Sequence, residues 1–316
     1  MNTSINSLYR KYRPATFDDV VAQTHIVKTL QNQIKSGKVN HAYLFVGTRG
    51  TGKTTIAKIF AREINGGGGE HDIFEIDAAS NNSVDNVREL IEKIKFPPVT
   101  GKYKVYIIDE VHMFSGSAFN ALLKTLEEPP SHVIFILCTT EAHKLPQTIL
   151  SRVLRFDFMP FPTADITARL THIFTKESIK AEPTAIEMIA KMGRGSMRDS
   201  LSIAEAVSAY TKNIKTRDVE DVLGTVGDET LGTLASAILK KDIDGITKTL
   251  ETIFSRSVNA VALVSQFLAV LRDMFIKTKD VNVMRVYKSF AEIELLVKTA
   301  ADPSGMFSGT AYLSAV

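Results

Sequence analysis

A short glycine-rich run after an apolar stretch constrains this chain more than any other feature of its sequence. The run consists of Gly47, Thr48, Arg49, Gly50, Thr51, Gly52, Lys53 and Thr54, and Thr55 comes next. It follows the apolar residues 41–46 and matches the phosphate-loop pattern, which needs a strand before it and a helix after it. An ordinary glycine-rich turn is the alternative, and the strand–loop–helix context argues against it.

The residue types of this run suit a polyphosphate. Glycines let the backbone wrap closely and aim successive N–H groups at phosphate oxygens. Lys53 adds a mobile charge at the β and γ phosphates, and Thr54 offers a hydroxyl to Mg²⁺. The helix that begins here directs the positive end of its dipole at the same anion. The run therefore predicts a site for a nucleoside triphosphate and Mg²⁺.

Two acidic residues, Asp109 and Glu110, end a second apolar stretch at 105–108. In open α/β folds, nucleotides bind at the carboxyl edge of the sheet, where such residues lie. We expect Asp109 to hold the Mg²⁺ through water and Glu110 to orient and deprotonate the attacking water. A third polar group, Thr140, ends the next strand and could sense the γ-phosphate or steady the water. A solvated strand end is the alternative for each of them.

The order of apolar patterns predicts the fold class. Near-continuous apolar runs at 41–46, 73–76, 105–108 and 133–137 are typical of parallel strands buried on both faces, and amphipathic helices alternate with them. Strand signals stop after Pro160 and helical spacing takes over. We therefore predict an α/β P-loop domain at 1–160, an all-α domain at 161–223 and a second all-α domain at 224–316.

Charge and cysteine content narrow the class of protein. The net charge is +3, from 38 basic and 35 acidic residues, so a nucleic-acid surface would require clustered positive groups. The one cysteine, Cys138, excludes an intramolecular disulfide and a cysteine-rich metal module. The N-terminal residues show no signal-peptide pattern, and no run of ~18 apolar residues suggests a membrane span. We expect a cytoplasmic protein without membrane contact.

With these motifs in place, the sequence resembles the gamma/tau subunits of the bacterial DNA polymerase III clamp loader, which are AAA+ ATPases. The stretches that carry the resemblance are Tyr12 to Val21, Gly47 to Thr54, Asp109 to Met113, Asn120 to Pro130, Leu145 to Arg152 and Gly195 to Asp199. The likeness is strong over residues 8–226 and weaker beyond them. The run from Asn120 to Pro130 is more specific than the phosphate loop.

The resemblance implies roles that spacing alone leaves open. Arg13, Val20 and Val21 would line the pocket for the adenine and sugar of ATP, and Thr140 would be the first sensor of the nucleotide. Two arginines, Arg152 and Arg198, are indistinguishable from surface charges by pattern alone. The resemblance assigns Arg198 as a second sensor reaching from the helical lid. It assigns Arg152 as an arginine finger that completes the ATP site of a neighbouring subunit.

The resemblance also implies partners. These are delta and delta-prime subunits and further copies of the chain in a pentameric spiral, the beta sliding clamp, and primer-template DNA. Lys144 and Thr148, near the finger, are candidates for contacts with DNA phosphates, which would read duplex shape and not base sequence. A solvated Lys144 is an equal alternative. The last domain would be a collar that holds the assembly together.

The sequence departs from the family pattern at several places. The family carries a four-cysteine zinc module where this chain has Gly66 to Gly69, so we predict no zinc and interpret the glycines as a flexible bridge across a removed module. Val153 replaces the usual cysteine after the finger and we expect it only to pack. The chain ends where the family's collar ends, so we expect a gamma-like form or a truncated tau.

Three other functions remain open at this stage. The first is a clamp-loader subunit that binds ATP without hydrolysing it, against which Lys53, Thr54, Asp109 and Glu110 all argue. The second is another AAA+ machine, such as a Holliday-junction branch-migration motor. The third is an archaeal or eukaryotic clamp-loader small subunit, which usually continues differently after the Asp-Glu pair.

Overall fold

The computed structural model describes residues 7–255 and 258–316. Residues 1–6 lie outside the described residues. They belong to the N-terminal segment in which the sequence shows no signal-peptide pattern. The chain forms two compact units: one runs to Ser178 and includes Ile189–Glu205, and the other comprises Ile179–Met188 and Ala206–Val316. The predicted domain boundaries at 160/161 and 223/224 stay predictions.

The first unit is built on a parallel five-stranded sheet. Its strands are β1 Ala42–Val46, β2 Ile73–Asp77, β3 Lys104–Asp109, β4 Val133–Thr139 and β5 Leu154–Asp157, in the spatial order β2-β3-β4-β1-β5. The parallel sheet with helices on both faces confirms the predicted α/β class. Pairing of Val46 with Thr139 and of Asp77 with Asp109 puts the carboxyl ends of these strands at one edge.

Helices of the first unit cover both faces of this sheet. They are α1 Leu8–Lys11, α2 Thr24–Ser36, α3 Lys53–Ile64, α4 Val84–Ile94, α5 Gly116–Glu127, α6 Gln147–Leu150 and α7 Thr163–Lys176. Short 3₁₀ turns occur at Phe17–Asp19, Glu70–Asp72, Val111–Met113 and Ala142–Lys144. Two further helices, α8 Pro183–Met192 and α9 Met197–Tyr210, each contribute residues to both units.

Alternation along the strands explains why apolar runs make this sheet. In β1, Ala42 and Leu44 join one buried cluster, while Tyr43 and Phe45 join the cluster on the opposite face. Successive strand side chains point to opposite faces, so a strand covered on both sides must be apolar at every position. The sheet is thereby fixed between two cores, and its carboxyl edge becomes a rigid platform for the loops that follow the strands.

The second unit is helical apart from a two-residue parallel ladder. The ladder pairs β6 Lys180–Ala181 with β7 Asn213–Ile214. Its helices are α10 Thr216–Leu223, α11 Asp228–Leu239, α12 Ile243–Phe254, α13 Ala260–Thr278, α14 Val281–Ile293 and α15 Pro303–Ala315, with a 3₁₀ turn at Leu296–Lys298. A cluster of aromatic rings joins three of these helices: Phe290 lies 4.7 Å from Phe267 and 5.1 Å from Phe307 between ring centroids.

Two features of the fold differ from the sequence-based description. The strand β5 is missing from the predicted strands, and the ladder of β6 and β7 interrupts a region predicted to be wholly helical. Over the described ranges, no helix combines the length and apolar character needed to cross a bilayer.

A buried carboxylate, that of Asp72, fixes the loop before β3. Asp72 is fully buried and accepts hydrogen bonds from the backbone N–H groups of Val99 (2.7 Å), Thr100 (2.8 Å) and Gly101 (2.7 Å), and from the Thr100 hydroxyl (3.1 Å). Burial alone would raise the pKa of Asp72, but the hydrogen bonds outweigh it and lower the pKa to about 2. The charged form therefore holds the loop.

We expect Asp72→Ala to lower the free energy of unfolding by about 3 kcal/mol, because it leaves several buried hydrogen-bond donors without an acceptor. Because the folded pKa is depressed, the stabilisation should be complete above pH ~5 and be lost as the pH falls through ~4 towards the folded value. Urea denaturation at several pH values measures both effects. Asp85→Ala, at a side chain that is 80% exposed, is the matched control. Equal stability of the two variants would contradict this role.

Candidate nucleotide site

The glycine-rich loop connects β1 to α3 at the carboxyl edge of the sheet. A Cβ atom at Gly47 would lie 2.6 Å from the Phe158 carbonyl oxygen, and one at Gly50 would lie 1.9 Å from the Ser196 hydroxyl oxygen. A side chain at Gly47 would collide with the Phe158 backbone, and one at Gly50 would be strained by its positive φ of 79°. The Met197 N–H donates to the Gly50 carbonyl at 3.2 Å, which attaches the loop to the start of α9.

The ammonium group of Lys53 lies inside this loop. Its Nζ donates to the carbonyl oxygens of Gly47 (2.8 Å) and Thr48 (3.0 Å), and the residue is 6% exposed. Burial lowers the pKa of Lys53, and the negative charges of Glu110 and Asp109 work in the opposite direction. The positive charge is thus held inside the loop, against two of its carbonyl oxygens.

Thr54 and Asp109 meet beside the lysine. The Thr54 hydroxyl donates to Asp109 Oδ2 at 2.7 Å, and Asp109 Oδ1 accepts from the Glu110 N–H at 3.0 Å. A hydroxyl and a carboxylate oxygen in contact are a pair that Mg²⁺ binds together with phosphate oxygens and water. Among the described residues no group of three or more His, Cys, Asp or Glu side chains could hold a metal ion, and such a Mg²⁺ site needs none.

The carboxylate of Glu110 is turned towards the end of β4. Glu110 has a positive φ of 48°, and its Oε2 accepts from the N–H (3.3 Å) and the hydroxyl (3.1 Å) of Thr140. The left-handed backbone is uncommon for a residue with a side chain. The structure thus brings the predicted base and the predicted sensor into direct contact.

A cavity of about 680 Å³ opens beside Lys53, Thr54 and Asp109. Many residues that the sequence predicts for the nucleotide site line this cavity: Arg13, Val20, Val21, Gly50, Thr51, Gly52, Lys53, Thr54, Thr55, Asp109 and Arg198. Tyr9, Lys58, Glu75 and Arg169 also line it, although the sequence did not single them out. Gly47, Thr48 and Arg49 from the predicted loop, together with Glu110 and Thr140, are not among the lining residues.

Two arginines flank this cavity from different elements. Arg13 Nε donates to the Thr55 hydroxyl at 3.0 Å, on the first turn of α3. The Arg198 guanidinium, at the start of α9, lies over the Tyr9 ring with 5.0 Å between its carbon and the ring centroid. Arg198 is therefore within the same unit as the loop, and Tyr9 gives its planar group a cation–π contact.

Arg152 lies away from the cavity and contacts its own chain. One terminal nitrogen, NH2, pairs with Glu127 Oε1 at 2.7 Å, and the other, NH1, donates to the Thr148 carbonyl at 2.7 Å. Its side chain is 35% exposed. The arginine is oriented but reachable, and no contact joins it to the loop at Lys53.

The two predicted DNA-contact residues are both exposed, and one of them, Thr148, contacts Arg152. Lys144 Nζ pairs with Glu141 Oε2 at 2.9 Å, and the Lys144 side chain is 51% exposed. Thr148 stands on α6 and is exposed, with its carbonyl engaged by Arg152. The structure brings neither of them into the cavity.

The residues that contact predicted site residues but were missed include Glu127, His112 and Glu141. Glu127 binds Arg152, while His112 Nδ1 lies 3.4 Å from Glu110 Oε2 and Nε2 lies 3.0 Å from Glu141 Oε2. Glu127 and His112 both fall in stretches that carry the family resemblance. Their place in those stretches could have marked Glu127 and His112 as candidates, but it did not say which residues they contact.

Comparison with known proteins matches two family models to consecutive ranges within residues 22–213. The family described as DNA polymerase III, delta subunit, matches residues 22–162. The family described as DNA polymerase III clamp loader subunit, ATPase lid domain, matches residues 165–213.

Curated relatives match most of the chain. The DNA polymerase III subunit tau of Bacillus subtilis is 43% identical over 86% of this chain and 52% of its own length. The Escherichia coli subunit tau is 39% identical over 85% of this chain and 45% of its own length. The chain therefore spans about half the length of these tau relatives. The subunit gamma of Buchnera aphidicola subsp. Schizaphis graminum is 34% identical over 88% of this chain and 86% of its own length.

Solved structures show a similar fold at lower identity. The Thermotoga maritima RuvB Holliday junction branch migration motor aligns with a TM-score of 0.57 and 21% identity, over 72% of this chain and 80% of that chain. At this identity the likeness shows the fold alone. It agrees with a parallel sheet covered by helices in the first unit.

We expect Thr54→Ala to raise the Mg²⁺ concentration needed for half-maximal ATP binding by roughly tenfold, because one ligand oxygen is lost. Titration of Mg²⁺ at fixed concentration of a fluorescent ATP analogue measures this. Thr29→Ala is the control, since the Thr29 hydroxyl donates to the His25 carbonyl within α2. An unchanged Mg²⁺ requirement in Thr54→Ala would exclude Thr54 as a metal ligand.

Proposed function

The chain belongs to the gamma/tau family of bacterial DNA polymerase III subunits, and from this membership we propose that it is an ATP-hydrolysing motor subunit of the replicative clamp loader. In this proposal, ATP binding and hydrolysis open a sliding clamp and load it on primed DNA. The observation that carries the proposal is the contiguous set Lys53, Thr54, Asp109, Glu110 and Thr140 at the carboxyl edge of the sheet. These are the groups that ATP hydrolysis requires.

The residues of this set take complementary roles. The loop from Gly47 to Thr54 cradles the phosphates with its N–H groups, and Lys53 supplies positive charge at the β and γ phosphates. Thr54 and Asp109 would hold Mg²⁺, which neutralises charge on the phosphates when bound. Glu110 would leave Thr140 to accept a proton from the attacking water, and Thr140 would then be free to contact the γ-phosphate.

The adenosine part of ATP has a suitable place beside the loop. Arg13, Val20, Val21 and Arg198 all line the cavity. Apolar side chains suit the base, and a guanidinium suits phosphate oxygens. Arg198 would exchange its contact with Tyr9 for the nucleotide, which would couple ATP binding to α9.

Arg152 is assigned to the neighbouring subunit's nucleotide. Its position away from the cavity of its own chain and its partial exposure support action in trans. An arginine finger is worth ~10³ to 10⁵ in rate in related NTPases, so hydrolysis would wait for correct assembly. A repeated head-to-tail contact of this kind produces an open spiral unless the rotation closes it.

The assembly would contain partners that the family membership suggests. We propose delta and delta-prime subunits, further copies of the chain in a pentameric spiral, and the beta sliding clamp. Lys144 and Thr148 would contact phosphates of primer-template DNA. Residues 161–223 would form the lid and residues 224–316 the collar that holds the pentamer together.

Two rival functions make different demands on the same residues. A non-hydrolysing scaffold subunit has no need for Glu110 in contact with Thr140 beside the loop. A Holliday-junction motor shares the fold, as the RuvB likeness illustrates, but the relatives at 34–43% identity are DNA polymerase III subunits. The clamp-loader proposal accounts for both observations.

We expect Glu110→Gln to lower the ATP turnover of the assembled complex by at least ~10²-fold with little change in KM, because general bases contribute about that much. Steady-state phosphate release with clamp and primed DNA present measures it. Glu89→Gln, on an exposed position of α4, is the matched control. Unchanged turnover in Glu110→Gln would favour the scaffold function.

A further inference from the structure

The side-chain amide of Gln23 lies between the glycine-rich loop and the chain that follows β5. Its Nε2 donates to the carbonyl oxygens of Met159 at 2.6 Å and of Thr51 at 3.5 Å, and its Oε1 accepts from the Met159 N–H at 3.3 Å. The residue is 5% exposed. Two carbonyl groups and one N–H group face this side chain, so the position needs two donors and one acceptor. A primary amide supplies them, whereas a carboxylate or an ammonium group does not.

The backbone that presents this amide is fixed in place. Gln23 precedes α2, and its carbonyl oxygen accepts from the N–H groups of Ile26 at 2.9 Å and Val27 at 3.1 Å. Both Ala22 and Gln23 have a positive φ, of 56° and 52°. Such backbone is uncommon for residues with a side chain and persists only where the surrounding contacts hold it. The amide is therefore a fixed point against which the loop and the chain after β5 are both held.

The chain after Met159 leads to the turn before α9. The Phe161 N–H donates to the Gly195 carbonyl at 2.9 Å. A Cβ atom at Gly195 would lie 2.6 Å from the Cβ of Pro160, so the two segments are in close contact. A shift of Met159 would therefore be felt at Gly195, and all of these residues belong to the first unit.

A second route joins the same turn to the loop without Gln23. The Met197 N–H donates to the Gly50 carbonyl at 3.2 Å. Arg198 is the next residue, and it lines the cavity together with Gly50. The two routes make a closed circuit of hydrogen bonds and packing contacts, and Arg198 lies where the circuit returns to the loop.

We propose that Gln23 is a positioning residue that couples occupancy of the glycine-rich loop by a triphosphate to the placement of Arg198 at the nucleotide. The proposal rests on the function proposed above, in which the loop binds ATP and Arg198 contacts it. Gln23 is not among the residues that line the cavity, so it acts through the loop and through Met159.

Phosphate oxygens that bind the loop's N–H groups turn its carbonyl groups the other way. In a planar trans peptide the N–H and C=O bonds point in opposite directions. A Gly52 N–H that donates to a phosphate oxygen therefore aims the Thr51 carbonyl, which shares its peptide bond, away from the phosphate. That carbonyl faces Gln23 Nε2, and their separation of 3.5 Å is long for a hydrogen bond, so it can shorten. The amide then holds Met159, and with it the turn before Arg198, in the position that suits the filled loop.

A double-mutant cycle tests whether Gln23 acts through Arg198. Gln23→Gly removes the amide and relieves the left-handed backbone, so it should fold while losing the coupling. We expect ATP binding to weaken roughly tenfold in Gln23→Gly and roughly thirtyfold in Arg198→Ala. The double variant should also be weaker by roughly thirtyfold, because no guanidinium is left to position, whereas independent effects would multiply to roughly 300-fold.

A second substitution keeps the length of the side chain. Gln23→Glu replaces the two N–H donors by a carboxylate that only accepts, so both facing carbonyl groups lose their donor. It should weaken ATP binding at least as much as Gln23→Gly does, and its effect should likewise disappear when Arg198→Ala is present. This variant tests the amide chemistry independently of the backbone change.

The experiment is an equilibrium titration of the full chain with a fluorescent ATP analogue and Mg²⁺, with urea denaturation showing that each variant folds. Lys279→Gly is the matched control. Lys279 also has a positive φ, of 56°, but it is exposed at the end of α13 in the second unit. Its affinity for the analogue should equal that of the wild type.

The outcomes separate this proposal from the function on which it rests. Effects of Gln23→Gly and Arg198→Ala that multiply in the double variant would overturn the coupling, and so would wild-type affinity in both Gln23 variants. Wild-type affinity in Arg198→Ala would instead overturn the proposed contact of Arg198 with the nucleotide. A wild-type chain that does not bind the analogue would overturn the proposed function.

Discussion

The buried ammonium of Lys53 is the constraint on which the rest of the site depends. It binds carbonyl oxygens of its own loop, Gly47 and Thr48, and so holds a positive charge inside the glycine-rich loop. A group placed in advance needs little reorganisation when negative charge arrives or develops. The two cores around the sheet keep the loop, Asp109 and Thr140 in register with this charge.

Under the proposed mechanism, the site so arranged is incomplete within one chain. In that mechanism Lys53, Thr54, Asp109 and Glu110 would supply phosphate binding, metal ligands and a base, but the guanidinium of Arg152 lies on Glu127. Contacts within the chain thus hold two key groups: Thr140 and His112 lie beside Glu110, and Glu127 binds Arg152. Hydrolysis under the proposed mechanism requires both groups to move, one towards its own nucleotide and one towards a neighbour's.

The parts of the fold and of the candidate site that could be predicted from the sequence are those that local motifs specify. The phosphate loop and Asp109 follow apolar strands directly, so a parallel sheet necessarily brings them to one edge. The α/β class was predicted for the same reason, whereas the AAA+ family was predicted from the resemblance, which rests on runs such as Asn120 to Pro130. By contrast, β5 has only one neighbour, β1, and its sequence Leu-Arg-Phe-Asp alternates in burial, so it lacks the apolar run that identified the other strands.

Contacts between residues distant in the chain could not be predicted. Glu127 ends α5 while Arg152 follows α6, and His112 and Glu141 follow different strands. Each pair meets only because the sheet aligns the elements that carry it. The family resemblance marked some of these positions without saying what they touch, and the roles of individual site residues still rest on proposals.

The measurement that tests the central claim most directly is the position of the Arg152 guanidinium in the complete assembly. Electron cryomicroscopy of the complex with clamp, primed DNA and a non-hydrolysable ATP analogue would locate it. Action in trans predicts that the guanidinium leaves Glu127 and lies about 3 Å from the terminal phosphate held by the adjoining subunit's Lys53 loop. A guanidinium that stays on Glu127, or points into solvent, at every nucleotide-filled interface would contradict the account.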